Sequence, residues 1–438
     1  MIPTRFDLLY YTAAPLALPY FAFRSLTKGK YRQSAGGMLG FHLPSGEDRE
    51  VFRDGSIWIH AVSVGETVAA HSVAPLVHEL APNLPLVVTT ITETGQAHAR
   101  KILPRGTHVH FFPVDLSWNV RRFLECFNPR LFIMMETEIW PNFLTLAARR
   151  GTQVFMANGK VSDKSFRGYM RGRPLLRPAF ESIRAFCMQT EADAERMKAL
   201  SGRPIDVHVT GNCKFDAPMP TLSSDAAQGV LDQYRLGPAN RTRLVVGSTH
   251  PGEDPIVLDA FAELRRTVPD VQLILSPRHP ERFQEVFLLC RDHPAKWTVS
   301  RATAPRAESP DVFVLDTMGE LARIYGLGQV AVVAGSFSPS VGGHNLLEPA
   351  AHAIPVVTGP HMWGQKEIDR LFEGPDSGCI RTAADSESLA SALRDLFKDS
   401  EKRRRIGQQA FATSRRNQGS AARTVRVIRD YFKKSVNL

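Results

Sequence analysis

Apolar residues along this chain fall in short, nearly continuous runs, and most runs lead into a stretch with helical spacing. Between Ser56 and Thr210 the runs SIWIHAVSV, LPLVVTTIT, HVHFFPVD, PRLFIMME, TQVFMAN, AFCMQT and DVHVTG each end in polar residues or glycine. Segments such as ETVAAHSVAPLVHEL (Glu66–Leu80) carry the helical period between them. Strands that are apolar at almost every position need cover on both faces, so this pattern predicts a parallel sheet between two layers of helices. Polar, proline-containing sequence from Phe215 to Asn240 interrupts the pattern, which restarts with RLVVGSTH, VQLILSPRH, DVFVLDT, QVAVVAGSF and IPVVTG. Two doubly wound α/β domains are therefore expected, at residues 35–210 and 225–415, with a linker at 211–224. A last helix at 416–438 is expected to pack back toward the first domain. In open parallel sheets ligands gather beyond the carboxyl ends of the strands, and the polar motifs of this chain fall there.

The N-terminus departs from this pattern. LLYYTAAPLALPYFAF (Leu8–Phe23) is apolar and aromatic, and Arg24, Lys28, Lys30 and Arg32 follow it. A spanning helix needs about 20 apolar residues, and this run is shorter and carries Pro15 and Pro19. It has no small-residue cleavage site of the signal-peptide kind. A membrane-associated segment at residues 1–34, with the body of the protein on the cytoplasmic side, fits the basic flank. A helix buried against the first domain is the alternative. The composition of the whole 438-residue chain, 43% hydrophobic and 22% charged, is that of an ordinary globular protein. Cys126, Cys187, Cys213, Cys290 and Cys379 are scattered, without a CxxC pair, which argues against disulfides and structural zinc and for a reducing compartment. A net charge of +10 favours an anionic partner: nucleic acid, a phospholipid surface or a phosphorylated substrate. With no zinc finger, aromatic RNA-binding signature or repeated basic helix, nucleic acid is not expected.

The richest motif is GGHNLLEPAAHAIPVV (Gly342–Val357), directly after the apolar run VAVVAGSF. Glycines let backbone N–H groups approach an anion, and a helix opening near Asn345 would add the positive end of its dipole. Glu348 would lie in the first turn, where a carboxylate can accept both hydroxyls of a ribose. Three further strand ends, GSTHPGE, SPRHPER and DTMGEL, stand in register with it. Arg278 can grip a phosphate bidentately, Met318, Gly319 and Glu320 can wall a base and ribose, and Ser248 and Thr249 sit where a loop meets the helix above the phosphate. In the first domain, HAVSVGE places Glu66 at the mouth of the sheet as a candidate base, its ionised form favoured by the helix N-terminus. Ser63-x-x-Glu66 is equally a helix-capping box. ETEIWPN places Glu136 and Glu138 on one face of an extended chain, where a carboxylate can stabilise an oxocarbenium-like transition state. Lys214 in GNCKFD can neutralise a departing phosphate or a sugar carboxylate, although most lone lysines are merely solvated. There is no strand-terminal Asp-x-Asp, no Cys/His ligand spacing, no GxGxxG at the first strand and no GxxxxGK[ST], so neither a metal nor another cofactor is expected.

Taken in order, HAVSVGE, TETG, FPVDL, ETEIWPN, GNCKFD, GSTHPGE, SPRHPER, DTMGEL, GGHNLLEPAAHAIPV and GPHMW resemble the segments of the 3-deoxy-D-manno-octulosonic acid (Kdo) transferases of lipopolysaccharide synthesis. The resemblance runs over nearly the whole chain. It implies the GT-B arrangement, two Rossmann-like domains with an interdomain cleft, and an inverting transfer of Kdo from a CMP-Kdo donor to a phosphorylated lipid A precursor (lipid IVA) at the bacterial inner membrane. By the same resemblance Glu66 aligns with the proton acceptor, and Glu136 and Lys214 with residues that stabilise the transition state. Pro277 and Arg278, Met318 to Glu320, and Asn345, Leu346, Leu347 and Glu348 align with CMP-binding segments. Three departures stand out: Leu346 replaces a usual proline, GPHMWGQKEI differs from the more usual pattern around Trp363 and Gly364, and Lys160 replaces a common arginine. Lys160, Lys164 and Arg167, with Arg171 and Arg173, are candidates for a rim that meets the acceptor's phosphates, although a solvated helix face accounts for them as well. A related enzyme that uses another nucleotide sugar, and an inactive lipid-binding relative, are the alternative functions.

Overall fold

The computed structural model describes residues 3–12, 14–15, 34–219, 222–374 and 377–435. Its chain divides into two compact units, Met1–Ala217 with Asn417–Leu438, and Pro218–Arg416. The strands of the first are β1 (Ser56–His60), β2 (Leu86–Thr90), β3 (His108–Phe111), β4 (Pro129–Met135), β5 (Gln153–Gly159), β6 (Ala185–Met188) and β7 (Val207–Val209). The second contains β8 (Arg243–Thr249), β9 (Gln272–Pro277), β10 (Val299–Arg301), β11 (Val312–Val314), β12 (Val330–Val333), β13 (Val356–Thr358) and β14 (Cys379–Arg381). Each unit is built on a seven-stranded parallel sheet, ordered β3-β2-β1-β4-β5-β6-β7 and β10-β11-β9-β8-β12-β13-β14. Both orders reverse beside their first strand, at β1/β4 and at β8/β12, and such a reversal opens a crevice at the strands' carboxyl ends.

The sequence pattern explains the sheets. Every residue of β1, β2, β8 and β9 is buried, as uninterrupted apolar strands under two helical layers must be. One face of the first sheet is aromatic: Trp58 meets Phe127, Phe132 and Phe143 edge-on at ring centroid distances of 5.0 to 5.8 Å. The Trp58 indole N–H donates to Thr89 Oγ1 at 2.8 Å, so its one polar atom is satisfied inside the core. The opposite face is aliphatic and lies under α1 (Val64–His78) and the C-terminal helix α6 (Ser420–Ser435), whose Ala421, Val425 and Ile428 join Ile57, Ile59 and Ile133. Asp216 ties the start of α6 down, accepting from the backbone N–H groups of Gly419 and Ala421. Between them lie α2 (Pro141–Arg149), α3 (Asp163–Glu181), α4 (Glu253–Arg265) and the single turn α5 (Leu347–Ala350).

The short edge strands β10 and β14 have no counterpart in the pattern of apolar runs. Each is only three residues long and ends in an arginine, Arg301 or Arg381, so neither leaves a readable apolar run. The N-terminal expectation concerns residues 1–34, of which 16–33 lie outside the described residues. Residues 5–12 are helical and docked on the first unit by polar contacts. Asp7 accepts from the Ser117 N–H and from Asn142 Nδ2, and the Tyr10 hydroxyl donates to Asp115. Phe6 is buried, whereas Leu8, Leu9 and Tyr11 are exposed. Among the described residues no helix is long and apolar enough to cross a membrane.

Candidate active site

In the first unit the strand-end loops gather three carboxylates and a lysine. Glu66 lies in the first turn of α1, and its carboxylate turns back to accept from the Val62 N–H at 2.8 Å and the Ser63 hydroxyl at 2.9 Å. The capping box does not form: the Ser63 hydroxyl donates to Glu66 instead of accepting from the helix, and the Glu66 carboxylate reaches the Val62 N–H, one residue before the N-cap. The helix N-terminus does not dominate the charge state as expected. Burial, joined by the neighbouring Glu136, raises the Glu66 pKa to about 7, against the two hydrogen bonds, and Glu138 adds to the rise. A carboxylate with that affinity for a proton suits transfer near neutral pH.

Glu136 and Glu138 do not share a strand face. β4 stops at Met135, and Glu136 turns the chain with φ 59° while its N–H still donates to Ala157 O. A non-glycine residue in the left-handed region is strained, and here the turn delivers the Glu136 carboxylate to Lys214, Nζ to Oε1 at 2.9 Å. Lys214 rides on the one-turn 3-10 helix Cys213–Asp216. Asn158 Oδ1 accepts from the Cys213 N–H, and the Ser72 hydroxyl donates to the Cys213 carbonyl, which fixes that turn between β5 and α1. A Cβ on Gly65 would come within 3.7 Å of Lys214 Nζ, so the amine also borders the loop that carries Glu66. Glu138 is held above its usual range by burial and by Glu136.

The basic residues expected at an acceptor rim separate into two groups. Lys160 sits in the loop after β5, where its backbone N–H and C=O both bond the Thr137 hydroxyl, between the two glutamates. Lys164, Arg167 and Arg171 are exposed along one side of α3, three and four residues apart. The Tyr169 hydroxyl of α3 donates to Thr137 O, which ties that helix to the same loop.

In the second unit the glycine loop is built as the sequence suggests, but its helix is not. Gly342 and Gly343 have φ 87° and 79°, and the Gly343 N–H donates to Gly335 O at 2.8 Å. A Cβ at Gly342 would lie 2.6 Å from the Trp363 ring, so only glycine fits beneath that exposed indole. α5 opens at Leu347 rather than Asn345 and is a single turn, too short to sum much of a dipole. Its Leu347 N–H is already taken by Asn345 Oδ1 at 3.0 Å. Leu346 and Leu347 point their side chains into the core, while Asn345 Nδ2 reaches Glu348 Oε1 at 3.3 Å. Burial raises the Glu348 pKa, against Asn345 and the Arg278 charge.

Arg278 follows buried Pro277 at the end of β9, its N–H bonded to Thr249 O and its side chain exposed. The positive charge at these strand ends comes from that exposed guanidinium rather than from the one-turn helix. Ser248 turns β8 with φ 65°, and Thr249 is wholly enclosed, its hydroxyl without a partner among the described residues. Met318 is exposed beside Gly319, φ 86°. Glu320 is engaged internally, accepting from the Tyr234 and Thr317 hydroxyls and from Arg323. Sequence reasoning did not single out Glu253. Buried in α4, it accepts the backbone N–H groups of His250, Gly335 and Phe337 at 2.8 to 2.9 Å, and so pins the loops after β8 and β12 together. Its signal was present but read as part of GSTHPGE: an acid in the first turn of a helix after a strand.

Two Rossmann-like sheets, one carrying a raised carboxylate beside a lysine–glutamate pair and the other a glycine loop, an arginine and a glutamate, are the framework expected of a glycosyltransferase, although a fold of this kind serves other chemistry too. The neighbours in sequence and fold narrow this. Residues 33–217 match the family described as 3-deoxy-D-manno-octulosonic-acid transferase (kdotransferase). The 3-deoxy-D-manno-octulosonic acid transferase of Haemophilus influenzae is 30% identical over 96% of this chain and 97% of its own. That of Bordetella pertussis is 31% identical over 86% and 87%. A crystal structure of UDP-GlcNAc 2-epimerase from Neisseria meningitidis, bound to UDP-GlcNAc, superposes with a TM-score of 0.56 at 11% identity, over 84% of this chain and all of that one, a likeness of fold alone. This chain belongs to the 3-deoxy-D-manno-octulosonic acid transferase family.

Proposed function

We propose that this chain is an inverting transferase that moves Kdo from CMP-Kdo to a sugar hydroxyl of a phosphorylated lipid A precursor, lipid IVA, on the cytoplasmic side of the bacterial inner membrane. The observation that carries the reading is Glu66, a buried carboxylate with a pKa raised to about 7 next to the Lys214–Glu136 pair. In this reading residues 35–210 bind the acceptor and residues 225–415 the CMP-sugar. Glu66 removes the proton of the attacking hydroxyl as its oxygen bonds to the anomeric carbon. The bond from that carbon to the phosphate oxygen breaks, CMP departs with the electron pair, and one displacement inverts the carbon. Glu136 stabilises the positive charge that develops on the sugar, and Lys214 holds Glu136 in place and offsets negative charge on the leaving phosphate.

On the donor side, Arg278 contacts phosphate, Glu348 accepts from ribose hydroxyls, and Met318 and Gly319 lie against the base. Ser248, Thr249, Pro277 and Glu320 shape this site, and Leu346 and Leu347 offer only backbone to it. Lys160, Lys164 and Arg167 attract the acceptor's phosphates, and the net charge of +10 suits an anionic lipid surface. The test is mass spectrometry of a tetraacylated, bisphosphorylated lipid A precursor incubated with the protein and CMP-Kdo. A gain of one or more Kdo masses that disappears with Glu66→Ala is expected. Absence of transfer while CMP still binds would reject this acceptor.

A further inference from the structure

Three histidines outside the roles above meet at the strand ends of the second unit. His250 follows β8, His279 follows β9, and His344 closes the glycine loop after β12. His250 Nε2 lies 2.9 Å from His344 Nε2, with the two rings stacked 11° from parallel at 5.1 Å. The His279 ring stands edge-on to His250 at 5.1 Å and opens to solvent. Such a contact between two ring nitrogens requires one N–H to donate to a bare nitrogen, so neutral imidazoles fit it and two imidazolium rings cannot. The fold keeps this arrangement by construction. Glu253 holds the His250 backbone, and a Cβ at Gly335 would lie 2.7 Å from the His344 ring.

The surroundings favour neutral rings while no anion is present. Burial lowers the His344 pKa to about 4, helped by the charges of Arg278 and the other two histidines. Burial likewise lowers that of His250, with His279, Arg278 and Arg282 adding to the effect and Asp254 opposing it. Arg282 is already committed to Asp254, in a 2.5 Å ion pair. Glu253 spends its oxygens on three backbone N–H groups, and Glu281 stands 4.0 Å from His279 at the solvent edge. Glu348 feels the Arg278 charge from the glycine-loop side, but Arg278 makes no ion pair among the described residues, so the cluster holds a cation that no salt bridge offsets beside imidazoles that its charge helps keep neutral.

We propose that His250, His279 and His344 form with Arg278 an anion-binding subsite that takes up a proton when phosphate or carboxylate oxygens enter it. The anion offsets Arg278, raises the imidazoles' proton affinity, and is then held by a second positive charge. This inference rests on the CMP-sugar reading of the second unit. The sign follows from linkage: groups protonated only in the complex make binding tighter as pH falls. Two ligand groups share the needed chemistry, the phosphate of the nucleotide and the carboxylate of the sugar acid.

The experiment is isothermal calorimetry of CMP binding to the full chain in buffers of differing ionisation enthalpy, at about pH 7.5, where a phosphate monoester is already almost fully ionised. Net proton uptake is expected, lost in His344→Asn and His250→Asn and reduced in the exposed-site variant His279→Asn. Kdo is then titrated onto the CMP-saturated protein. Uptake in the first arm assigns the subsite to phosphate, and uptake only in the second assigns it to carboxylate. CMP and Kdo binding without linked protons, or with uptake unchanged in all three variants, would overturn the proposal. Failure of CMP to bind at all would overturn the donor reading beneath it, and the two failures look different in the same titration.

Discussion

Glu66 carries a cost that its proposed role as the base would explain. Its carboxylate is buried, and its pKa is raised from an ordinary 4.5 to about 7. A carboxyl group with a raised pKa contributes stability below its unfolded value that is lost as pH rises through the folded value. Glu66→Gln should therefore stabilise the first unit at pH 8 by up to about 3 kcal/mol, seen as a higher melting temperature, and should make no such difference at pH 4. The same variant should lose roughly 10²- to 10⁴-fold in turnover with CMP affinity unchanged. Turnover of the parent should rise with pH through about 7 and level off above, as the base ionises. Lys214→Met removes the cation that offsets Glu136, so the rising limb should move to higher pH; a limb that stays in place would separate Lys214 from the base. The residue types of this site were legible in HAVSVGE, ETEIWPN and GNCKFD. Their contact was not, because 78 residues separate Glu136 from Lys214, and the left-handed turn at Glu136 that joins them has no signature in a glutamate.

At the scale of elements, the apolar runs specified all seven strands of the first sheet because each is apolar enough to be recognised alone. The helix α6 is different. Its sequence is basic and amphipathic, and beside the apolar face it lays on the first sheet its start is fixed by Asp216, 203 residues away from the Gly419 N–H whose hydrogen bond it accepts. Asp216→Ala should cost about 1–2 kcal/mol, read as faster hydrogen exchange across residues 420–435 and a lower melting temperature of the first unit. α5 teaches the converse. GGHNLLEPA reads as a glycine loop opening a helix, yet the helix is one turn whose Leu347 N–H bonds Asn345, and the chain turns left-handed at Ala353, φ 55°. A short motif gives composition at a helix start and says little about how far the helix continues.

For the molecule as a whole, the excess of positive charge is the property with the longest reach. Lys164, Arg167 and Arg171 present part of it on one exposed side of α3. Binding to vesicles that contain anionic lipid should weaken as salt rises, since exposed charges are screened beyond about 10 Å at 0.1 M. Replacing all three residues by glutamine should weaken sedimentation with such vesicles several-fold while leaving CMP binding intact. An unchanged sedimentation would assign the attraction elsewhere on the surface. The sequence by itself determined the two parallel sheets, their helical cover and the strand ends where polar residues collect, because burial on both faces leaves a continuous apolar run that needs no partner to be seen. Only the tertiary structure decided that Glu66 carries a raised pKa, that Glu136 meets Lys214, that Glu253 binds two loops, and that three histidines from three strand ends share one neighbourhood. Those facts depend on burial and on distances of a few ångströms between residues far apart in the chain, and no local pattern encodes either.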